Sequence, residues 1–199
     1  MRIFFVRHGE TEENARHICQ GQTPGTLSPR GREEAGLTGI ALRHEPIACC
    51  YTSDQKRASD TARIILRELA APGVPLIPDR RLRERYFGSF EGKVFPPYSD
   101  EVVPVDEVEK APQIAVRLTS FLEEIIPRHR EDETVLVLSH GYTMRVLMAL
   151  LYGQDPAGVT DHETPYNCSI TEVLADAPDS YRVLRFNDVR HLAPPEKEP

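Results

Sequence analysis

Apolar and polar positions along the chain fall into two alternating textures. Unbroken apolar runs occur in "IFFV" (3–6), "IACCY" (47–51) and "VLVL" (135–138), each soon followed by polar residues or glycine. Runs of this length predict strands buried on both faces, as in a parallel sheet covered by helices. Between them, apolar residues recur at helical spacing. Ala58, Ala62, Ile65, Leu66 and Leu69 mark one face of a helix over 54–70, with Ser53 as its expected cap. Ile114, Leu118, Phe121, Leu122 and Ile125 mark a second helix that ends near Pro127. Ser28 before Pro29 predicts a further helix start, with Ala35, Ile40 and Leu42 as a modest apolar face. After the run at 135–138 an apolar helix extends to about 153. Two strands around "DAPDS" then close the chain, before a Pro/Glu/Lys tail from Pro194 that is expected to fray.

Strands alternating with helices predict an α/β fold, a three-layer α/β/α sandwich on a mostly parallel sheet. Residues 82–112 break the rhythm with prolines, glycines and acids. A small cap is expected at about 85–112, on a single domain spanning 1–199.

Composition narrows the partners. With 199 residues, 40% of them hydrophobic, the chain suits one core and is short for two. A net charge of -7, from 24 basic and 31 acidic residues, argues against nucleic acid and anionic membranes. Cys19, Cys49, Cys50 and Cys168 form no C-x-x-C pair and are expected to be reduced core residues. The absence of a leader or a membrane-length apolar stretch leads to the expectation of a cytoplasmic protein. Nothing in the histidine spacing suggests a metal site, and no cofactor is expected. Monomer and homodimer both remain open.

Candidate chemistry gathers at the strand ends. Arg7 and His8 follow the first run, Arg57 lies just beyond the second, and His140 follows the third. Parallel strands bring such positions to one sheet edge, where ligands bind in open α/β folds. Two histidines and two arginines there suit an anion with several acceptor oxygens, and a phosphoryl group matches arginine's fork. Beside cations, His8 should stay neutral and nucleophilic. Glu84 in "LRERYFGSFEG" is the candidate proton donor, with Glu91 a nearby rival. Asn14 could serve only a turn, and Arg57 could simply pair with Asp54 or Asp60 on its own helix. Asn187, Asp188 and His191 read as a capping network.

"VRHGET" with Asn14, "SDQKRASDTA", "LRERYFGSFEG", "VLSHG" and the closing "NCSITEV" and "NDVRHL" together resemble the histidine phosphatase superfamily, the phosphoglycerate mutase-like proteins. The resemblance spans nearly the whole chain and implies that fold. It implies that His8 is phosphorylated, that Arg7, Asn14, Arg57 and His140 hold the phosphate, that Glu84 donates the proton, and that no metal is needed. Three positions depart from the pattern: Pro24 where an acid is common, Glu34 in place of glutamine, and Phe90 in place of tryptophan. The first two are expected to bear on the substrate-facing loop.

The pocket could run hydrolysis or mutase transfer. Only 56 positions separate Glu84 from His140, and the cap between them carries more acids than lysines. A basic, water-excluding insertion of the mutase kind is thus not evident, and a phosphatase for a small phosphomonoester is expected. Its rate should be bell-shaped in pH, because it needs neutral His8 and protonated Glu84 together. A catalytically silent scaffold and a metal-dependent hydrolase are the outside alternatives.

Overall fold

The computed structural model describes residues 1–70, 72–94, 107–157 and 163–192. Its elements are β1 (Arg2–Arg7), α1 (Glu12–Ala15), α2 (Pro29–Ala41), β2 (Ile47–Thr52), α3 (Lys56–Glu68), β3 (Leu76–Pro78), α4 (Ala111–Ile125), β4 (Thr134–Ser139), α5 (Gly141–Leu151), β5 (Ile170–Ala177) and β6 (Ser180–Asp188). The strands form one sheet in the order β3-β2-β4-β1-β5-β6. The first four of that order run parallel, while β5 is antiparallel to β1 and β6 to β5.

Alternation along β1 builds the three layers. Ile3 and Phe5 pack with Leu118 and Phe121 of α4 and Met144 of α5, whereas Phe4 and Val6 pack with Leu42, just past α2, and with Ala62 and Ile65 of α3. Each fully buried side chain of this kind contributes roughly 1.5–3 kcal/mol, so both helical layers are held by the same strand.

Several local readings change. Ser53 does not cap α3. Its backbone N–H donates to the Leu138 carbonyl (3.0 Å), prolonging β2 alongside β4, so the helix starts only at Lys56, with Gln55 in the cap position. Ile40 is 51% exposed, because α2 meets α3 through Gly39 and its neighbours rather than through an apolar stripe. A Cβ on Gly39 would lie 2.8 Å from the Ile65 carbonyl oxygen. The edge strand β3, three residues including a proline, carries no pattern that predicts it and forms by pairing with β2. All four cysteines are free and buried. Residues 95–106 of the expected cap, and the tail from Pro194, lie outside the described residues. Among the described residues no helix is long and apolar enough to cross a membrane.

The register of the central pair sets up the site. In the parallel pairing of β1 with β4, Arg7 stands opposite Ser139. His8 and His140, the next residues of each, therefore leave the sheet side by side, and the His8 N–H still donates to the Ser139 carbonyl (3.1 Å).

Candidate active site

Each histidine is followed by a glycine, and close approach explains both. A Cβ on Gly9 would lie 2.4 Å from the Gly31 carbonyl oxygen, and one on Gly141 would lie 3.3 Å from the Arg7 guanidinium carbon. Neither glycine is needed for an unusual φ. Both let another group press against the turn that carries the histidine.

His8 Nδ1 donates to the Gly9 carbonyl (2.8 Å), which leaves Nε2 as the acceptor nitrogen. Arg57 donates to that nitrogen from the other side. Its Nε–H is shared between His8 Nε2 (3.2 Å) and His140 Nδ1 (3.1 Å), and the two imidazole centres are 5.1 Å apart. The remaining guanidinium nitrogens donate to the Gly21 (2.8 Å) and Thr23 (3.0 Å) carbonyls. Arg57 is thus a buried bridge, not a helix-surface ion pair. Asp54 pairs with Arg83 and Asp60 with Lys56 and Arg63.

Burial and charge act in the same direction on both histidines. Desolvation, then the Arg57 and Arg7 cations, hold His8 well below the usual imidazole range. Desolvation, then Arg57 and the His8 ring, do the same to His140. Burial also lowers Arg57, to about 10, and it lowers Arg7. Arg7 donates through Nη1 to the Pro165 carbonyl (2.7 Å), while its buried Nε has no partner among the described residues. His140 Nε2 is orphaned in the same way. Buried donors and acceptors without partners are rare in folded proteins.

Arg7, His8, Asn14, Arg57 and Glu84 line one cleft of about 510 Å³, a size suited to a small molecule. His140 is fully buried behind Arg57 and does not line it. Asn14 has two attachments: it faces the cleft and forms a reciprocal cap with Thr11, its side chain accepting from the Thr11 N–H (3.3 Å). The Glu84 carboxylate lies at the N-terminus of α5, where it accepts from the backbone N–H groups of Tyr142 (3.3 Å) and Thr143 (3.1 Å). Its rival Glu91 points elsewhere, accepting from the N–H groups of Gln22 (2.8 Å) and Phe87 (3.1 Å), and is not a cleft residue.

Other residues surround this set. Arg85, Tyr142 and Arg145 line the same cleft, with the Arg85 guanidinium 4.3 Å from the centre of the Tyr142 ring. The described rim is therefore cationic, although the sequence of the cap is acidic. Cys19 also lines the cleft, where burial and then Glu91 and Glu84 push its thiol up to about 12 and keep it protonated. Asn167 donates to the His8 carbonyl (2.8 Å), and the Cys168 N–H to the Arg7 carbonyl (3.0 Å). Asn167 and Cys168 belong to the "NCSITEV" motif, whose residue types alone carry no chemistry. Two expectations need correction. Glu34 is buried in a separate pocket with Arg30 (2.8 Å), and Pro24 is exposed on its loop outside the cleft, so neither faces a ligand there. Asp188 caps the N–H of Arg190 (3.0 Å), Asn187 accepts from Tyr166 (2.7 Å), and His191 meets the Cys168 carbonyl (3.1 Å), a structural network as expected.

Comparisons with known proteins match the same residues to one group. A family model described as the histidine phosphatase superfamily, branch 1, matches residues 3–189. A 2,3-bisphosphoglycerate-dependent phosphoglycerate mutase 2 of Gloeobacter violaceus is 32% identical, over 98% of this chain and 96% of its own. A metal-independent phosphoserine phosphatase of Arabidopsis thaliana is 34% identical, over 96% and 83%. The solved structure of Bacillus stearothermophilus YhfR superposes with a TM-score of 0.85 at 28% identity, covering 96% of this chain and 99% of that one.

Proposed function

The chain belongs to branch 1 of the histidine phosphatase superfamily, and from that premise we propose that it hydrolyses a small phosphomonoester through a phosphohistidine on His8. The observation that carries this reading is the fixed tautomer of His8, with Nδ1 committed to the Gly9 carbonyl and Nε2 at a cleft lined by Arg7, Arg57 and Glu84. Phosphoserine, broad-specificity and metal-independent phosphatases are among its relatives, beside phosphoglycerate mutases.

In the first step the Nε2 lone pair attacks phosphorus and the bond from phosphorus to the ester oxygen breaks. Glu84 gives its proton to the departing alkoxide. The Nδ1–H bond to the Gly9 carbonyl steadies the positive charge that grows on the ring. Arg7, Asn14 and Arg57 supply donors from the cleft to the phosphoryl oxygens, and His140, buried with its Nε2–H unpartnered among the described residues, adds a donor when substrate draws Arg57 away from it, so positioning and charge do most of the catalytic work. A phosphoryl oxygen would take over the Arg57 Nε–H that the two imidazoles share. In the second step the Glu84 carboxylate takes a proton from water, whose oxygen attacks phosphorus. The P–N bond then breaks, and phosphate and neutral His8 are restored. Arg7 and Arg57 provide the positive charge, so no metal is invoked. The chain is proposed to act as one domain with a small cap or insertion at about 85–112, in the cytoplasm.

The second reading, phosphoryl transfer between two hydroxyls of a metabolite, is favoured by its mutase relatives and by the cationic rim at Arg85 and Arg145. Incubation with a panel of phosphomonoesters, and with 3-phosphoglycerate plus its bisphosphate primer, separates the two. Chelator is present throughout. Free phosphate is expected; isomerised product with little free phosphate would replace hydrolysis by transfer.

A further inference from the structure

Helix α3 begins with an anomaly. Its N-cap residue is Gln55, a poor capping type, and no side-chain cap hydrogen bond is made. A serine, threonine, aspartate or asparagine there would stabilise the helix by about 1 kcal/mol. The Gln55 side chain is nevertheless buried and both ends of its amide are bonded, to groups of the candidate site. Oε1 accepts from the backbone N–H of Glu84 (2.7 Å), and Nε2 donates to the Gly21 carbonyl (3.0 Å). That same carbonyl accepts from Arg57 Nη2. One neutral amide thus ties the segment that carries the proposed proton donor to the loop that holds the proposed phosphate-binding arginine.

The Glu84 carboxylate rests on the N-terminus of α5, but no helix or strand carries its backbone, which needs an anchor of its own. Glu84 follows a single 3-10 turn (Arg80–Leu82) after the edge strand β3, and it precedes another irregular stretch. Its two flanking peptides are also attached, by Gln22 Nε2, which donates to the Glu84 carbonyl (3.1 Å), and by Thr143 Oγ1, which donates to the Arg83 carbonyl (2.8 Å), but the Glu84 N–H is bonded to Gln55. Arg57 is less dependent on Gln55, since it makes its own bonds to Thr23, Gly21 and both histidines. Loss of the amide should therefore move Glu84 more than Arg57.

We propose that Gln55 is a positioning residue for proton donation, holding the Glu84 backbone so that its carboxyl reaches the leaving-group oxygen. The inference rests on the assignment of Glu84 as the acid. It predicts a selective defect. A nitrophenyl phosphate departs as a stable phenolate and needs little protonation, whereas an alkyl phosphate departs as a strongly basic alkoxide and depends on the acid. Misplacement of a catalytic group by about 1 Å can cost roughly 10²-fold.

The test compares kcat/KM on the two ester classes, which reads the steps up to departure of the alcohol and excludes the second step common to both esters, for the wild type, Gln55→Leu, Gln55→Glu and Glu84→Gln, with thermal melting as the check on folding. Gln55→Leu should lower kcat/KM on the alkyl ester about 10- to 100-fold and on the nitrophenyl ester no more than about threefold. Gln55→Glu keeps the acceptor for the Glu84 N–H and should retain more alkyl-ester activity. Equal losses on both esters, no loss on either, or a Gln55→Glu defect as deep as that of Gln55→Leu would each overturn the proposal. Glu84→Gln separates the two claims. If it shows no leaving-group selectivity, the acid assignment fails; if it does while Gln55→Leu does not, only the role of Gln55 fails.

Discussion

The ends of β1 and β4 carry nearly the same sequence device, an apolar strand, a histidine, a glycine and a helix, yet the two histidines are left in opposite states. His8, which lines the cleft, has Nδ1 donating to the Gly9 carbonyl and Nε2 accepting from the shared Arg57 Nε–H. His140 has Nδ1 accepting from Arg57 and an Nε2 unpartnered among the described residues, and it is fully buried. A parallel pair of strands in register can deliver two imidazoles to one place. Which of them can act as nucleophile is then decided by what each ring nitrogen is bonded to, a property of neighbouring backbone carbonyls and of one buried guanidinium.

The contrast predicts unequal losses. His8→Ala should abolish phosphomonoester turnover, by roughly 10⁴-fold or more, since removal of a nucleophile has effects of that order. Steady-state phosphate release measures it, and turnover within tenfold of the wild type would remove the distinction between the histidines. His140→Ala should lower kcat by about 10²- to 10³-fold, the range seen when one transition-state donor is lost, while leaving single-turnover phosphorylation of His8 detectable. Rapid-quench labelling checks that, and complete loss of labelling would make the two histidines equivalent.

Arg57→Ala removes the bridge between the rings. It should cost about 10²- to 10³-fold in kcat. It should also lower stability by up to about 1–3 kcal/mol for the Thr23 carbonyl left without its donor, whereas the Gly21 carbonyl keeps the bond from Gln55 Nε2. Denaturant titration at pH 7 reads the second effect, which substitution of a merely solvated arginine would not produce.

The smallest effect concerns acid stability. Both histidines are held well below their unfolded value of about 6.5, so as pH falls past that value the unfolded chain takes up protons that the folded chain refuses. Stability should therefore fall with falling pH, by on the order of 1 kcal/mol per pH unit for each histidine until the folded values are reached. His191, also lowered by burial, adds in the same direction. His8→Ala and His140→Ala should each relieve a similar part of the slope between pH 6.5 and 5. Relief by only one of them would show that the two rings differ in protonation as well as in bonding.

Much of this arrangement is legible in the sequence because its determinants are side chains in patterned elements. The apolar runs at 3–6, 47–51 and 135–138 and the helical stripe at 58–69 are strong local signals, and Arg7, His8, Arg57 and His140 stand at their ends. What escapes is carried by main-chain groups. The carbonyls of Gly9, Gly21 and Thr23 decide the tautomer of His8 and the placement of Arg57, and no residue type announces a carbonyl. Gln55 and Asn167 escape because an amide side chain is as ordinary on a surface as in a site. Ser53 misleads because β2 continues past it, and β3 because three residues that include a proline show no period of their own.

The most direct measurement maps the phosphoryl group trapped during turnover. Cleavage after arginine places His8 in a peptide of residues 8–16 and His140 in one of residues 131–145, so the two are resolved by mass alone after quenching in base. The account predicts a phosphoryl group on the 8–16 peptide, attached through Nε2, that forms and decays as substrate is consumed. A phosphoryl group on the 131–145 peptide, or continued turnover with no phosphorylated histidine at any time, would contradict it.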